Sequence, residues 1–276
     1  MTCTLLSFSV AAMSVRALAS VISVFEIMTI RAASAIAILL VVVALHPQLW
    51  RAVTPRRMML QVPRNAVQFI GQITWMKAVT LLPFATVFSL EFTMPAWVAL
   101  LAALFLGEKL TASRIVTVTL CFAGVLVIMQ PGLESFQPAS LLALGAALSF
   151  AITAVITKKL TGTETTLAIT FWVNLMQLPV NLALSDPAFI LRLDGSLILP
   201  LLGIAISGLS AQFCFTNAFR HGDVTIVVPL DFIRVPLMAV VGWSFYGEAL
   251  SPAVFVGATL IGTGVISGLR AEARSQ

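Results

Sequence analysis

Gly107-Glu108-Lys109-Leu110-Thr111 returns 140 residues later as Gly247-Glu248-Ala249-Leu250-Ser251. The same offset sets Leu90-Glu91-Phe92 on Leu230-Asp231-Phe232, Gly124-Val125 on Gly264-Val265, Gln72 on Gln212 and Ala78 on Ala218. One offset satisfies every anchor without a gap, so the chain is an internal duplication. In a strongly apolar chain, a duplicated half points to the architecture of membrane carriers.

The composition fits that reading. Apolar residues make up 59% of the chain and charged residues 10%, with a mean hydropathy of +1.04. A soluble domain carries about 25% charged residues, so lipid is the main solvent here. Spans of about 20 apolar residues fall near 4–22, 24–45, 65–82, 84–106 and 114–130 in the first half. The second half gives 139–157, 165–185, 197–219, 222–246 and 251–269. Pro47, Pro55 and Pro63 mark the 46–64 loop, while Pro131-Gly132 and Pro138 bracket the linker between halves. No segment has the alternation of a membrane β-barrel. The expected fold is an all-α integral membrane protein with ten transmembrane helices. Two five-helix repeats, residues 1–136 and 137–276, form one integrated domain.

Charge orients the spans. With the N-terminus in the cytoplasm, the inner loops and ends hold Arg51, Arg56, Arg57, Arg64, Lys109, Arg114, Lys158, Lys159, Arg220, Arg270 and Arg274. The outer loops hold only Arg192, a strong positive-inside bias. Five helices is an odd number, so the second half enters the membrane in the opposite sense and the repeat is inverted. Both termini are then cytoplasmic, in a multi-pass protein of the inner membrane. The net charge of +5 reports topology; its bases are spread over separate loops, which disfavours nucleic acid as a partner. Met1–Ser20 ends in Ala17-Leu18-Ala19, like a signal-peptide cleavage site. It lacks a basic start, and removing it would break the five-plus-five pattern, so it is read as the first span. Cys3, Cys121 and Cys214 match no metal spacing, and no cofactor is expected. No nucleophile elbow, His-Glu-x-x-His or Walker A motif is present, so the chain reads as neither an enzyme nor an ATP-driven pump.

Trp75-Met76-Lys77-Ala78, Leu82-Pro83-Phe84-Ala85, Pro95, the Gly107–Thr111 turn and Phe122-Ala123-Gly124-Val125 resemble the EamA branch of the drug/metabolite transporter superfamily. Arg31-Ala32-Ala33 also resembles that family's second helix. The resemblance covers essentially the whole chain. It implies ten helices, cytoplasmic termini and alternating access of one central cavity surrounded by the first four helices of each half. It also implies that the fifth and tenth helices are peripheral and support a homodimer. Gly257, Gly264 and Gly268 would serve that dimer or scaffold packing.

Six ionisable residues lie within spans: Arg16, Arg31, Lys77, Glu91, Asp231 and Arg234. Each costs about 2.5–3.5 kcal/mol at a helix centre, so such groups face the bundle interior or water. At about 1.5 Å per residue, Arg16, Arg31, Lys77 and Glu91 fall in the outer half. Asp231 and Arg234 share a helix face further in. Read functionally, the two excess positive charges make a cavity that favours a carboxylate-bearing or otherwise anionic solute, such as an amino acid or its derivative. Read structurally, all six are interhelical pairs that fix packing.

Uncharged polar residues recur at helical spacing: Thr170, Asn174, Gln177 and Asn181 on one span, and Asn65, Gln68 and Gln72 followed by Trp75 on another. Gln212 and Thr216 are four apart, with Asn217 beside them. These groups line a polar cavity or act as interhelical glue. Tryptophans such as Trp75 and Trp172 stack on a solute or sit in interfacial belts. Pro95 and Pro236 fall mid-span in equivalent helices and permit bending. The leading expectation is a secondary transporter of a small organic metabolite. The alternatives are a carrier of a vitamin, nucleobase or other neutral or cationic metabolite, and a non-transporting accessory membrane protein.

Overall fold

The computed structural model describes residues 2–105, 112–129, 137–221, 234–249 and 251–275. Asp231 and the Gly107-Glu108 turn lie outside them. Among the described residues the secondary structure is helical: α1 (Thr2–Leu18), α2 (Val24–Leu45), α3 (Trp50–Val53), α4 (Met58–Leu81), α5 (Phe84–Glu91), α6 (Met94–Phe105), α7 (Ala112–Met129), α8 (Ser140–Thr161), α9 (Thr166–Ala183), α10 (Ile198–His221), α11 (Arg234–Tyr246) and α12 (Pro252–Ser275). Among the described residues, five segments are long and apolar enough to cross a membrane: Val24–Leu45, Phe84–Leu101, Ser140–Thr161, Thr166–Ala183 and Gly195–Ala218.

Local chemistry sets the helix ends. Ser23 caps α2 in a reciprocal box, with Glu26 accepting the Ser23 N–H at 2.6 Å. Asp194 caps the short Gly195–Leu197 turn, and hydrogen bonds from the Ser196 hydroxyl and backbone N–H hold its carboxyl below the usual carboxylate range. The expected 84–106 span is broken at Phe92-Thr93, between α5 and α6. Pro95, the second residue of α6, brings no N–H, so the Glu91 carbonyl loses its helical donor there. The expected 46–64 loop is shorter than its prolines suggest. α4 starts at Met58 and runs through Pro63, because a proline near the start of a helix removes few interior bonds.

The chain forms two compact units, each drawing on both sequence halves. Met1–Phe69 and Ile156–Gly222 make the first; Ile70–Val155 and Asp223–Gln276 make the second. In the first unit α1 lies along α10, where Ser7 and Ser210 hydroxyls are 2.7 Å apart and Phe8 meets Phe215 edge-on at 6.1 Å. Ile36, Leu39, Val43 and Phe171 pack α2 against α9, with the Thr29 and Ser185 hydroxyls 2.9 Å apart beside them.

In the second unit α7 and α12 cross where Gly124 faces Gly257. A Cβ at Gly124 would lie 2.6 Å from the Gly257 carbonyl oxygen, and one at Gly257 would lie 2.7 Å from the Gly124 oxygen. Lipid offers no hydrophobic drive between helices, so such close backbone approach supplies van der Waals energy instead. Gly247 sits at φ +63°, where glycine is favoured. The turn delivers Glu248 to the start of α5, where its Oε2 accepts the Phe84 N–H at 2.9 Å. The outward faces are apolar. Leu45, Leu104, Leu199 and Phe245 are each more than 70% exposed, a surface that lipid solvates and water does not.

Candidate functional site

Two helices bury polar side chains at the same 4-3-4 spacing. α4 carries Gln61, Asn65, Gln68 and Gln72; α9 carries Thr170, Asn174, Gln177 and Asn181, and each of the eight is at most 5% exposed. That spacing keeps one face of a helix in line, and burial of eight polar groups in an apolar chain is costly unless they are bonded.

Within the first unit some of these groups are bonded. Arg64, buried on α4, donates to the Thr157 hydroxyl at 2.9 Å and to Asn65 Oδ1 at 3.1 Å. Asn65 Nδ2 donates to the Met176 sulfur at 2.8 Å. Gln68 Nε2 donates to Gln212 Oε1 at 2.7 Å, and Gln212 Nε2 donates to Thr216 at 3.2 Å. Asn174 donates to its own helix, at the Thr170 carbonyl. The remainder is unfilled. Both amide atoms of Gln61, Gln177 and Asn181, the Oε1 of Gln68 and the Thr170 hydroxyl are buried without a hydrogen-bond partner. Arg31, half-buried on α2, lays its stem over Gly208 of α10, where an added Cβ would come within 2.5 Å of its Cγ. The Arg31 guanidinium makes no hydrogen bond or ion pair among the described residues; only its backbone carbonyl accepts, from the Ser34 hydroxyl at 3.0 Å. Beside these helices the unit therefore holds the Arg31 guanidinium and at least three amides with unused hydrogen-bonding capacity.

The second unit holds a separate group. Trp75 Nε1 donates to Glu91 Oε2 at 2.8 Å, and Glu91 is 7% exposed at the end of α5. Phe88 stacks edge-on against Trp75 at 6.3 Å. The Oε1 of Gln72 is buried without a partner.

Gln212 thus meets the amide row through Gln68, and Trp75 meets Glu91. Asn174 and Gln177 share the buried face of α9. Lys77 is exposed on the face of α4 away from Trp75 and Met76, and Asn217 is exposed on α10, its carbonyl 3.0 Å from the His221 ring. Arg16 is half-buried on α1 and engaged. Arg234 opens α11, and Asp231 lies outside the described residues.

Three contributors escape the sequence reading. Gln61 continues the α4 spacing by one step and was reachable from it. Arg64 reads as a loop residue because Pro63 precedes it. The Glu26–Arg192 ion pair, 2.6 Å long, has no local signal. Among the described residues no group of His, Cys, Asp and Glu is placed to hold a metal ion.

The model of the EamA-like transporter family matches residues 1–130 and again 137–268. A riboflavin transporter of Rhizobium johnstonii is 31% identical, over 77% of this chain and 70% of its own. An S-adenosylmethionine uptake transporter of Rickettsia felis is 26% identical, over 74% of this chain and 69% of its own. A solved crystal structure, 17% identical, superposes with a TM-score of 0.67 over 97% of both chains, a likeness of fold alone. The names of these relatives do not bear out the lean to an amino-acid or carboxylate solute, and the vitamin alternative fits them better in part.

Proposed function

This chain belongs to the EamA-like transporter family of the drug/metabolite transporter superfamily, and we propose that it carries a vitamin-type heterocycle across the cytoplasmic membrane by alternating access. It is a multi-pass membrane protein of a small-molecule transporter family; the solute class is the proposal. The observation that carries it is the set of unfilled buried amides in the first unit, on Gln61, Gln68, Gln177 and Asn181. A carboxamide presents one donor group and one acceptor side by side. That pattern matches the alternating carbonyl and N–H edge of a flavin-type ring. Binding sites are otherwise apolar with a few fixed polar groups, and the buried chain around these amides is of that kind. The riboflavin transporter among the relatives supports riboflavin as the first solute to try.

Arg31 favours a second reading. An arginine without a partner, held over Gly208, suits a carboxylate or phosphate, so a solute bearing an anionic group is the alternative.

The remaining proposals concern topology. Ten spans form an inverted repeat, with residues 48–62 and both termini cytoplasmic and residues 186–196 outside. Labelling of single cysteines in those two loops from the same side would remove the inverted repeat. A homodimer through α7 or α12 would use faces turned away from the Gly124–Gly257 crossing.

Counterflow of labelled riboflavin in proteoliposomes tests the solute. Riboflavin should exchange, and Asn181→Ala should raise its KM while Arg31→Gln has the smaller effect. Failure of riboflavin, together with exchange of an anionic solute that Arg31→Gln abolishes, would establish the second reading instead.

A further inference from the structure

A second cluster of unused chemistry lies in the first unit. A cavity of 310 Å³ opens where the α2–α4 connection meets the α8–α9 turn and the end of α10. Arg51, Arg56 and Arg220 line it, together with Ala52, Glu164 and Thr165.

Its walls are held by a set of bonds that leave the arginines out. Glu164 is 3% exposed, and its Oε1 accepts the backbone N–H groups of Arg56 at 2.6 Å and Arg57 at 2.7 Å. The Thr165 hydroxyl, which caps α9 by accepting the Ala168 N–H, donates to the Ala52 carbonyl at 2.6 Å. Trp172 Nε1 donates to the Val53 carbonyl at 2.9 Å. Backbone at residues 52, 53, 56 and 57 is therefore fixed against α9 and its cap.

None of the three guanidinium groups has a hydrogen-bond or ion-pair partner among the described residues. Three cations bound one small cavity against the single carboxylate of Glu164, whose Oε1 is bonded and whose Oε2 is buried without a hydrogen-bond partner, so positive charge is in excess. Like charges held together in this way attract a multivalent oxyanion, and arginine forks match phosphate oxygens in pairs. The depth fits a membrane source. Trp50, immediately before Arg51, is 53% exposed, and Leu45 at the end of α2 is 72% exposed. An exposed aromatic next to a basic residue, just beyond an apolar helix end, sits at headgroup level.

We propose that this cavity is a phosphate site in which Arg51, Arg56 and Arg220 hold the headgroup phosphate of an anionic phospholipid. Glu164 acts by fixing the Arg56 and Arg57 backbone, which keeps the floor of the site in place. The chemistry is shared by a soluble phosphate, and the two sources separate by experiment.

Full-length protein in detergent would be titrated with phosphatidylglycerol, phosphatidylcholine and inorganic phosphate, with bound species read by native mass spectrometry. Phosphatidylglycerol should be retained over phosphatidylcholine. Each of Arg51→Gln, Arg56→Gln and Arg220→Gln should weaken it about fivefold, the usual worth of one basic residue at an anionic surface. Arg57→Gln, beside the cavity but not lining it, should change nothing. Displacement of the lipid by millimolar inorganic phosphate would support the site and name a soluble phosphate as its source. Equal retention of the two lipids, or equal loss on Arg57→Gln, would overturn it.

Discussion

Gln177→Leu should move stability and affinity in opposite directions. Gln177 is 3% exposed, and neither end of its amide has a partner. A buried polar group left unsatisfied costs about 1–3 kcal/mol, and leucine of similar volume removes that cost. The unfolding temperature should therefore rise, by about 2–4 °C for each kcal/mol in a chain of this size. A bound solute that uses both ends of the amide loses two neutral hydrogen bonds in the variant, together about 1–3 kcal/mol. That corresponds to a rise of about 5- to 150-fold in Kd. Asn181→Leu should behave in the same way, because Asn181 is also fully buried with both amide atoms unfilled. Thermal unfolding with and without riboflavin, alongside a binding titration, reads both effects on one sample. A lower unfolding temperature with unchanged Kd would refute the reasoning, since it would mean that the amide holds helices together and does not wait for a ligand.

Gly257→Val should force α7 and α12 apart, because even a Cβ at Gly257 would sit 2.7 Å from the Gly124 carbonyl oxygen. Overpacking of this kind costs about 1–3 kcal/mol, visible as a lower unfolding temperature; an unchanged value would mean that the helices do not meet at these glycines. Glu248→Ala removes the carboxylate that accepts the Phe84 N–H and should cost about 1–2 kcal/mol. Glu248→Gln keeps an acceptor there and should cost about half as much, so equal losses in the two variants would exclude the cap as the cause.

Much of this arrangement is legible in the sequence, and what is not has identifiable causes. The polar face of α9 is readable because Thr170, Asn174, Gln177 and Asn181 recur at the helical repeat, and repeat alone decides a face. The Gly247-Glu248 turn is readable as a repeated motif. Its purpose is not, because the partner of Glu248 is Phe84, 164 residues away. Depth along a span can be counted from its ends, which places Lys77 and Glu91 at similar heights. Rotation about the helix axis cannot be counted in the same way, and it is rotation that leaves Lys77 exposed while Trp75 reaches Glu91. Arg64 reads as a loop base because hydropathy ends the span at a Pro-Arg pair. In the fold its charge is met by its neighbour Asn65 and by Thr157, and the second of these lies in no local window.

The interleaving of the two halves has a consequence for biosynthesis. Each compact unit needs segments from both halves of the chain, so neither can close until late in translation. Ser7 waits for Ser210, 203 residues further on; at about 5–20 residues per second the delay is roughly 10–40 s. For that interval α1 and α2 are in the bilayer without α9 and α10. Glu26 has yet to meet Arg192, and the stem of Arg31 has no Gly208 to lie against. A ribosome stall at residue 137 would leave α1–α7 and their buried charges without the partners they need, and quality-control proteases would meet them first.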